Sequence, residues 1–123
     1  EELSKEDVES GVYDSYPIIK YDKKYELIIG KGYITDKIGD YEFIISPDSF
    51  YQVNRSTVKI LYDKVLEYLN PNANDKILDL YSGTGTIGIY VSKYVKNVLS
   101  IEINKFASKD ALKNKELTIK ELI

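Results

Sequence analysis

The stretch ILDLYSGTGTIGIY, residues 77–90, limits the fold of this 123-residue chain more than any other. A short apolar run, KILDLY (76–81), ends in Gly83, Gly85 and Gly88, which spell G-x-G-x-x-G. The residues after these glycines read as a helix through about Tyr94. Glycines at such a place let the backbone turn sharply and approach a ligand, and the helix N-terminus beyond them offers unpaired N–H groups. A second apolar run, NVLSIEI (97–103), precedes a second helical stretch over 104–117. Strand, helix, strand, helix with tight connections is the signature of a parallel sheet in an α/β domain. A right-handed crossover then brings the C-terminal ends of both strands to one edge. A doubly wound domain uses roughly five or more parallel strands, and only two are found before Ile123. The expected fold class is therefore a partial Rossmann-like βαβα unit, and the chain is expected to be part of something larger.

Upstream, residues 1–24 read as a polar lead-in, with one short strand at most around YPII (16–19). Residues 25–53 read as a β-hairpin and a loop: YELII (25–29) and YEFIIS (41–46) are two strands joined through glycine-rich turns that include DKIGD. Tyr41, Phe43 and Ile45 fall on one face of the second strand, which should be buried. From Asn54 the period changes. Val58, Leu61, Tyr62, Val65, Leu66 and Leu69 fall at helical spacing, with Asn54 as N-cap and NPNAND (70–75) as the stop. Residues 54–123 thus form the α/β unit.

Composition removes several chemistries. There is no cysteine and no histidine, so disulfides, thiolate nucleophiles and imidazole bases are all absent from these residues. The net charge of −3 does not describe a stand-alone nucleic-acid binder. No apolar run is long enough to span a bilayer, and a cytoplasmic protein without membrane contact is expected. The twelve tyrosines read as amphipathic packing residues rather than as a stacking platform for bases.

The glycine turn leaves the cofactor open between a dinucleotide and S-adenosylmethionine. Glu102, nineteen residues after Gly83, closes the second strand, where a carboxylate can accept bonds from both ribose hydroxyls of either ligand. Asp79 discriminates. Four residues before Gly83, it would repel a pyrophosphate across a low-dielectric gap. A ligand carrying a sulfonium and an ammonium is instead favoured, and an NAD site is the weaker alternative.

Two segments in order make a more specific match. FIISPDSFYQVN (43–54) followed by ILDLYSGTGTIG (77–88), with VLSIEI (98–103) beyond, resembles the RNA 5-methyluridine methyltransferases over roughly residues 25–115. The resemblance implies S-adenosylmethionine as cofactor and an RNA uracil, ribosomal or transfer, as substrate. By position it implies cofactor contacts from Gln52, Asp79, Tyr81, Gly83, Gly85, Thr86 and Glu102. The plain structural role of Tyr81 is ordinary core, and that of Thr86 is a helix cap. Ser82 stands where the family has a cysteine that is not its nucleophile. The family's attacking cysteine belongs to a downstream segment that has no counterpart here, so no catalytic residue is expected in this chain and it should be silent alone. A non-catalytic cofactor- or partner-binding module, joining copies through its unfinished sheet edge, is the alternative.

Overall fold

The computed structural model describes residues 9–11, 17–52 and 54–122. Much of the expected lead-in, residues 1–8 and 12–16, lies outside the described residues, as does Val53 of the motif loop. The elements are β1 (Ile18–Asp22), β2 (Lys24–Ile29), β3 (Ile34–Ile38), β4 (Tyr41–Ile45), α1 (Arg55–Leu69), β5 (Lys76–Leu80), α2 (Thr86–Ser92), β6 (Asn97–Ile101) and α3 (Lys105–Leu122). They make three two-stranded sheets: antiparallel β1–β2, antiparallel β3–β4 and parallel β5–β6.

The region expected to hold two strands over 25–46 contains β2, β3 and β4, and β2 pairs backwards with β1. The first hairpin turns at Lys23, which adopts a left-handed φ of 59°. The DKIGD segment is only partly a turn. Asp36, Lys37 and Ile38 continue β3, and the reversal is confined to Gly39–Asp40 between the paired Ile38 and Tyr41. Burial explains the extension, because Ile38 is 1% exposed and anchors the core. Gly39 supplies the positive φ of 59° that a two-residue hairpin loop requires.

Tyr41, Phe43 and Ile45 are buried along one face of β4, as their alternation predicts. Ile38, Tyr41 and Phe43 share one core with Val58 and Tyr62 of α1 and Tyr90 of α2, so the β3–β4 hairpin packs onto the α/β unit. The core is rich in tyrosine. Tyr90 meets Tyr41 and Tyr62 edge-on, with ring centroids 6.1 and 5.5 Å apart. Edge-to-face contact of this kind adds to simple area burial. Two of the hydroxyls are held by hydrogen bonds: Tyr90 donates to Asp63 Oδ1 at 2.6 Å, and Tyr62 shares a 2.7 Å hydrogen bond with Thr86 Oγ1.

α1 begins after Asn54, whose carbonyl accepts from Val58 N at 3.0 Å. The Asn54 side chain does not cap the helix backbone as expected; its Oδ1 accepts from the Ser56 hydroxyl instead. Asn70, left-handed at φ 42°, ends the helix and donates its N–H to Leu66 O at 2.9 Å. The stop within NPNAND therefore acts through its first residue.

β5 and β6 run parallel in register, Asp79 opposite Ser100 and Leu80 opposite Ile101. One face of the pair packs on α2. Gly88 allows the close approach: a Cβ there would lie 3.0 Å from Asp79 Oδ2, 3.0 Å from Ser100 Oγ and 3.1 Å from Val98 Cγ1. The opposite face is bare, and Leu78, Leu80, Leu99 and Ile101 are all at least half exposed. Parallel sheets are ordinarily covered on both faces. A hollow of about 820 Å³ runs along β6 beneath α2 and α3. No described helix is long and apolar enough to cross a membrane.

Candidate functional site

The site is built on the turn between β5 and α2. Tyr81, Gly83 and Gly85 have φ values of 57°, 57° and 80°, so the chain enters the left-handed region three times within five residues. Only the glycines take that conformation without cost. Tyr81 carries the strain, and its ring is 90% exposed at the strand end. Within this chain it is not a core residue. Cross-links hold the turn: Ser82 N donates to Ile101 O at 3.1 Å and Gly85 N to Ser82 O at 2.9 Å.

Both expected acids reach this turn, each engaged by backbone amides. Glu102 Oε2 accepts from Gly83 N at 2.8 Å, and Oε1 from Asn104 N at 2.7 Å. These N–H donors, that of Asn104 foremost, hold its carboxyl below the usual glutamate range. Each carboxylate oxygen retains acceptor capacity beyond one bond. Asp79 Oδ2 accepts from Gly88 N at 3.1 Å, on the first turn of α2. Burial pushes the Asp79 carboxyl up, and the Gly88 N–H partly opposes that shift. The helix N–H groups expected to wait for an anion are thus partly satisfied by the protein's own carboxylate. A second anion, such as a pyrophosphate, would meet Asp79 there.

Gln52, Asp79, Tyr81, Gly83 and Thr86 line one hollow of about 200 Å³, together with Phe50, Tyr51, Tyr62 and Ser82. Gly85 and Glu102 lie on the larger hollow along β6, and Ser82 lines both. Thr86 is the first residue of α2 and is 8% exposed, while Gly85 occupies the cap position. Thr86 is therefore not the helix cap, and its hydroxyl is already shared with Tyr62. The motif loop closes the hollow from the other side: a Cβ on Gly83 would lie 4.0 Å from Phe50 O.

Three residues of the site escaped the sequence reading. Asp110, 1% exposed, accepts from Ser46 N at 2.7 Å, Ser46 Oγ at 2.7 Å and Ser49 Oγ at 2.9 Å. Asn114, fully buried, accepts from Ile44 N and donates to Ile44 O at 3.1 Å and Thr84 O at 3.0 Å. Asn104 caps α3 through Phe106 N and Ala107 N, and its Nδ2 lies 3.4 Å from Asp48 O. The available signal was the inward stripe of α3: Ala107, Asp110, Ala111, Asn114 and Thr118 sit at helical spacing but are small or polar.

A parallel strand–turn–helix–strand unit, with glycines at the first strand's end and an acid closing the second, defines the class: a Rossmann-like methyltransferase fold of class I type. A tRNA (uracil-54, C5)-methyltransferase of Pyrococcus abyssi, solved with S-adenosyl-L-homocysteine, superimposes with a TM-score of 0.67. It is 37% identical, and the match covers 81% of this chain and 25% of that one. The M. jannaschii tRNA m1G37 methyltransferase shares the fold at 17% identity, with a TM-score of 0.63 over 98% of this chain and 39% of that one. An uncharacterized RNA methyltransferase of Oceanobacillus iheyensis is 45% identical over 95 residues, 77% of this chain and 21% of the relative. The chain thus spans about a fifth of that relative's length. Residues 6–122 match the tRNA (uracil-5-)-methyltransferase family, and the chain belongs to it. Methyltransferases of this family use S-adenosylmethionine.

Proposed function

We propose that this chain carries the N-terminal half of the Rossmann-like, cofactor-binding domain of a cytoplasmic RNA uracil-5-methyltransferase acting on transfer or ribosomal RNA. The observation that carries this reading is the convergence of Gln52, Asp79, Tyr81, Gly83 and Thr86 on one hollow. Its donors and acceptors fit S-adenosylmethionine. Asp79 offers negative charge to the cationic methionine end, Gln52 offers an amide with both donor and acceptor, and Glu102 accepts from ribose hydroxyls. Gly83 keeps the turn free of a side chain where the cofactor would cross it, Gly85 lets the turn pack closely on Ala111 of α3, and Tyr81 stands exposed at the strand end beside the hollow. Bound there, the cofactor supplies an electrophilic methyl group. The chain's own residues bind and orient it.

The nucleophile is a different matter. Uracil C5 needs covalent activation before it attacks a methyl donor, and the 123 residues contain no cysteine. The reading therefore assigns that step, and most RNA contacts, to further parts of a longer polypeptide. The bare face of Leu78, Leu80, Leu99 and Ile101 supports this, as does β6, which pairs only with β5 among the described residues. The same bare face favours a second reading, a non-catalytic module whose copies join through the open sheet. An NAD-binding piece is disfavoured by Asp79.

The test is a graft. The chain replaces the equivalent segment of a full-length relative, and labelled methyl transfer to a uridine-containing tRNA transcript is measured. 5-Methyluridine from the graft, and none from the 123 residues alone, is expected. A folded graft that makes no 5-methyluridine, or activity from the chain alone, would contradict the proposal.

A further inference from the structure

The motif loop, residues 46–52, supplies Phe50, Tyr51 and Gln52 to the small hollow, yet Phe50 is 75% exposed. Within the loop, Ser49 N to Ser46 O at 3.0 Å is a local backbone turn. Its anchors come instead from α3, more than fifty residues later in the chain. Asp110 takes all three donors of Ser46 and Ser49 named above, and Asn114 grips Ile44 just ahead of the loop. Asn114 also donates to Thr84 O inside the glycine turn. Ala111 lies between them, 3.2 Å from where a Cβ on Gly85 would stand. One face of one helix therefore touches both walls of the hollow.

Burial makes this arrangement demanding. A carboxylate and an amide removed from water lose stability unless their hydrogen bonds are made, and here each makes three. An apolar pair at 110 and 114 would pack the same helix without fixing either wall. We infer that Asp110 and Asn114 are positioning residues of the cofactor site, clamping the Ser46–Gln52 loop against the glycine turn and setting the width of the hollow between them. The inference rests on the cofactor reading above. It also means that the cofactor pocket is complete only once α3 has docked.

The test uses the ¹⁵N-labelled chain titrated with S-adenosylhomocysteine. Asn114→Asp keeps an acceptor for Ile44 N but loses both donated bonds, so it frees the glycine turn. Asp110→Asn turns a donor toward the Ser46 and Ser49 donors, so it frees the loop. Val58→Ala weakens the core without removing any hydrogen bond of the clamp. Each clamp variant should bind the probe roughly tenfold more weakly, about the effect of one or two buried hydrogen bonds. Val58→Ala, compared at equal folded fraction, should stay within about twofold of the parent chain. In the ligand-free protein, Asp110→Asn should shift the amides of Gly83–Gly85, and Asn114→Asp those of residues 48–52. Folded clamp variants with unchanged affinity and unchanged remote amides would overturn the inference, as would an equal affinity loss in Val58→Ala. If Asp110→Asn does not fold, Ser46→Ala removes one bond to the same carboxylate and takes its place. Should the parent chain fail to bind the probe, the cofactor reading falls by itself. The clamp is then decided by the ligand-free remote shifts, whose absence would overturn it.

Discussion

Replacing Gly85 by alanine tests whether the glycine turn is dictated by conformation and close packing. Gly85 holds φ 80°, caps α2 and accepts from Ile89 N at 2.9 Å. A side chain in the left-handed region costs about 1–2 kcal/mol. The new Cβ would sit 3.2 Å from Ala111 Cβ and 3.5 Å from Ala111 Cα, so α3 must retreat by a few tenths of an ångström. Overpacking of this kind adds about 1 kcal/mol. Reduced freedom of the unfolded chain returns about 0.4–1 kcal/mol. The net loss is about 2 kcal/mol, which for a domain of this size lowers Tm by roughly 8 °C. Gly32 is the internal control. It has no atom within 4 Å of its would-be Cβ and no left-handed φ, so Gly32→Ala should be neutral or up to about 1 kcal/mol stabilising. Thermal and urea melts of both variants measure the difference. Equal stability of Gly85→Ala and the parent chain, or equal losses in the two variants, would refute the packing argument.

Further outcomes follow from the polar contacts. Tyr62→Phe removes the partner of the buried Thr86 hydroxyl and should cost about 1–3 kcal/mol, read from urea midpoints. Glu102 has a lowered folded pKa, so its contribution to stability is full above the unfolded value and is lost as pH falls through the folded one. Glu102→Gln should therefore melt below the parent at pH 7, with the gap closing under acid. Asp79 has a raised folded pKa, so its desolvated charge becomes a growing burden as pH rises from below the unfolded value through the folded one. Asp79→Asn should thus be at least as stable as the parent at pH 7 while binding S-adenosylhomocysteine more weakly, a loss of function without loss of fold.

The parallel unit was legible because its signals agree: apolar runs of strand length, glycines at the strand end and an acid closing the next strand. The β3–β4 turn was less so. Asp36 and Lys37 look like turn residues, and only the burial of Ile38 keeps them in a strand. Asp79 and Glu102 were recognisable as site acids, but their partners were not. Which amide reaches a carboxylate depends on how closely α2 approaches β5, and that distance is set by Gly88. Asp110 and Asn114 were invisible because periodicity arguments count apolar residues, and the buried face of α3 is polar where it grips two loops.

The central claim is that this turn and its acids form a site for an adenosine-linked sulfonium cofactor. Isothermal titration of the chain with S-adenosylhomocysteine and, separately, with NADH tests it most directly. Saturable one-to-one binding of S-adenosylhomocysteine, weakened in Asp79→Asn, with no heat from NADH, is the expected result. Saturable NADH binding, or a folded chain that takes up no S-adenosylhomocysteine, would contradict it.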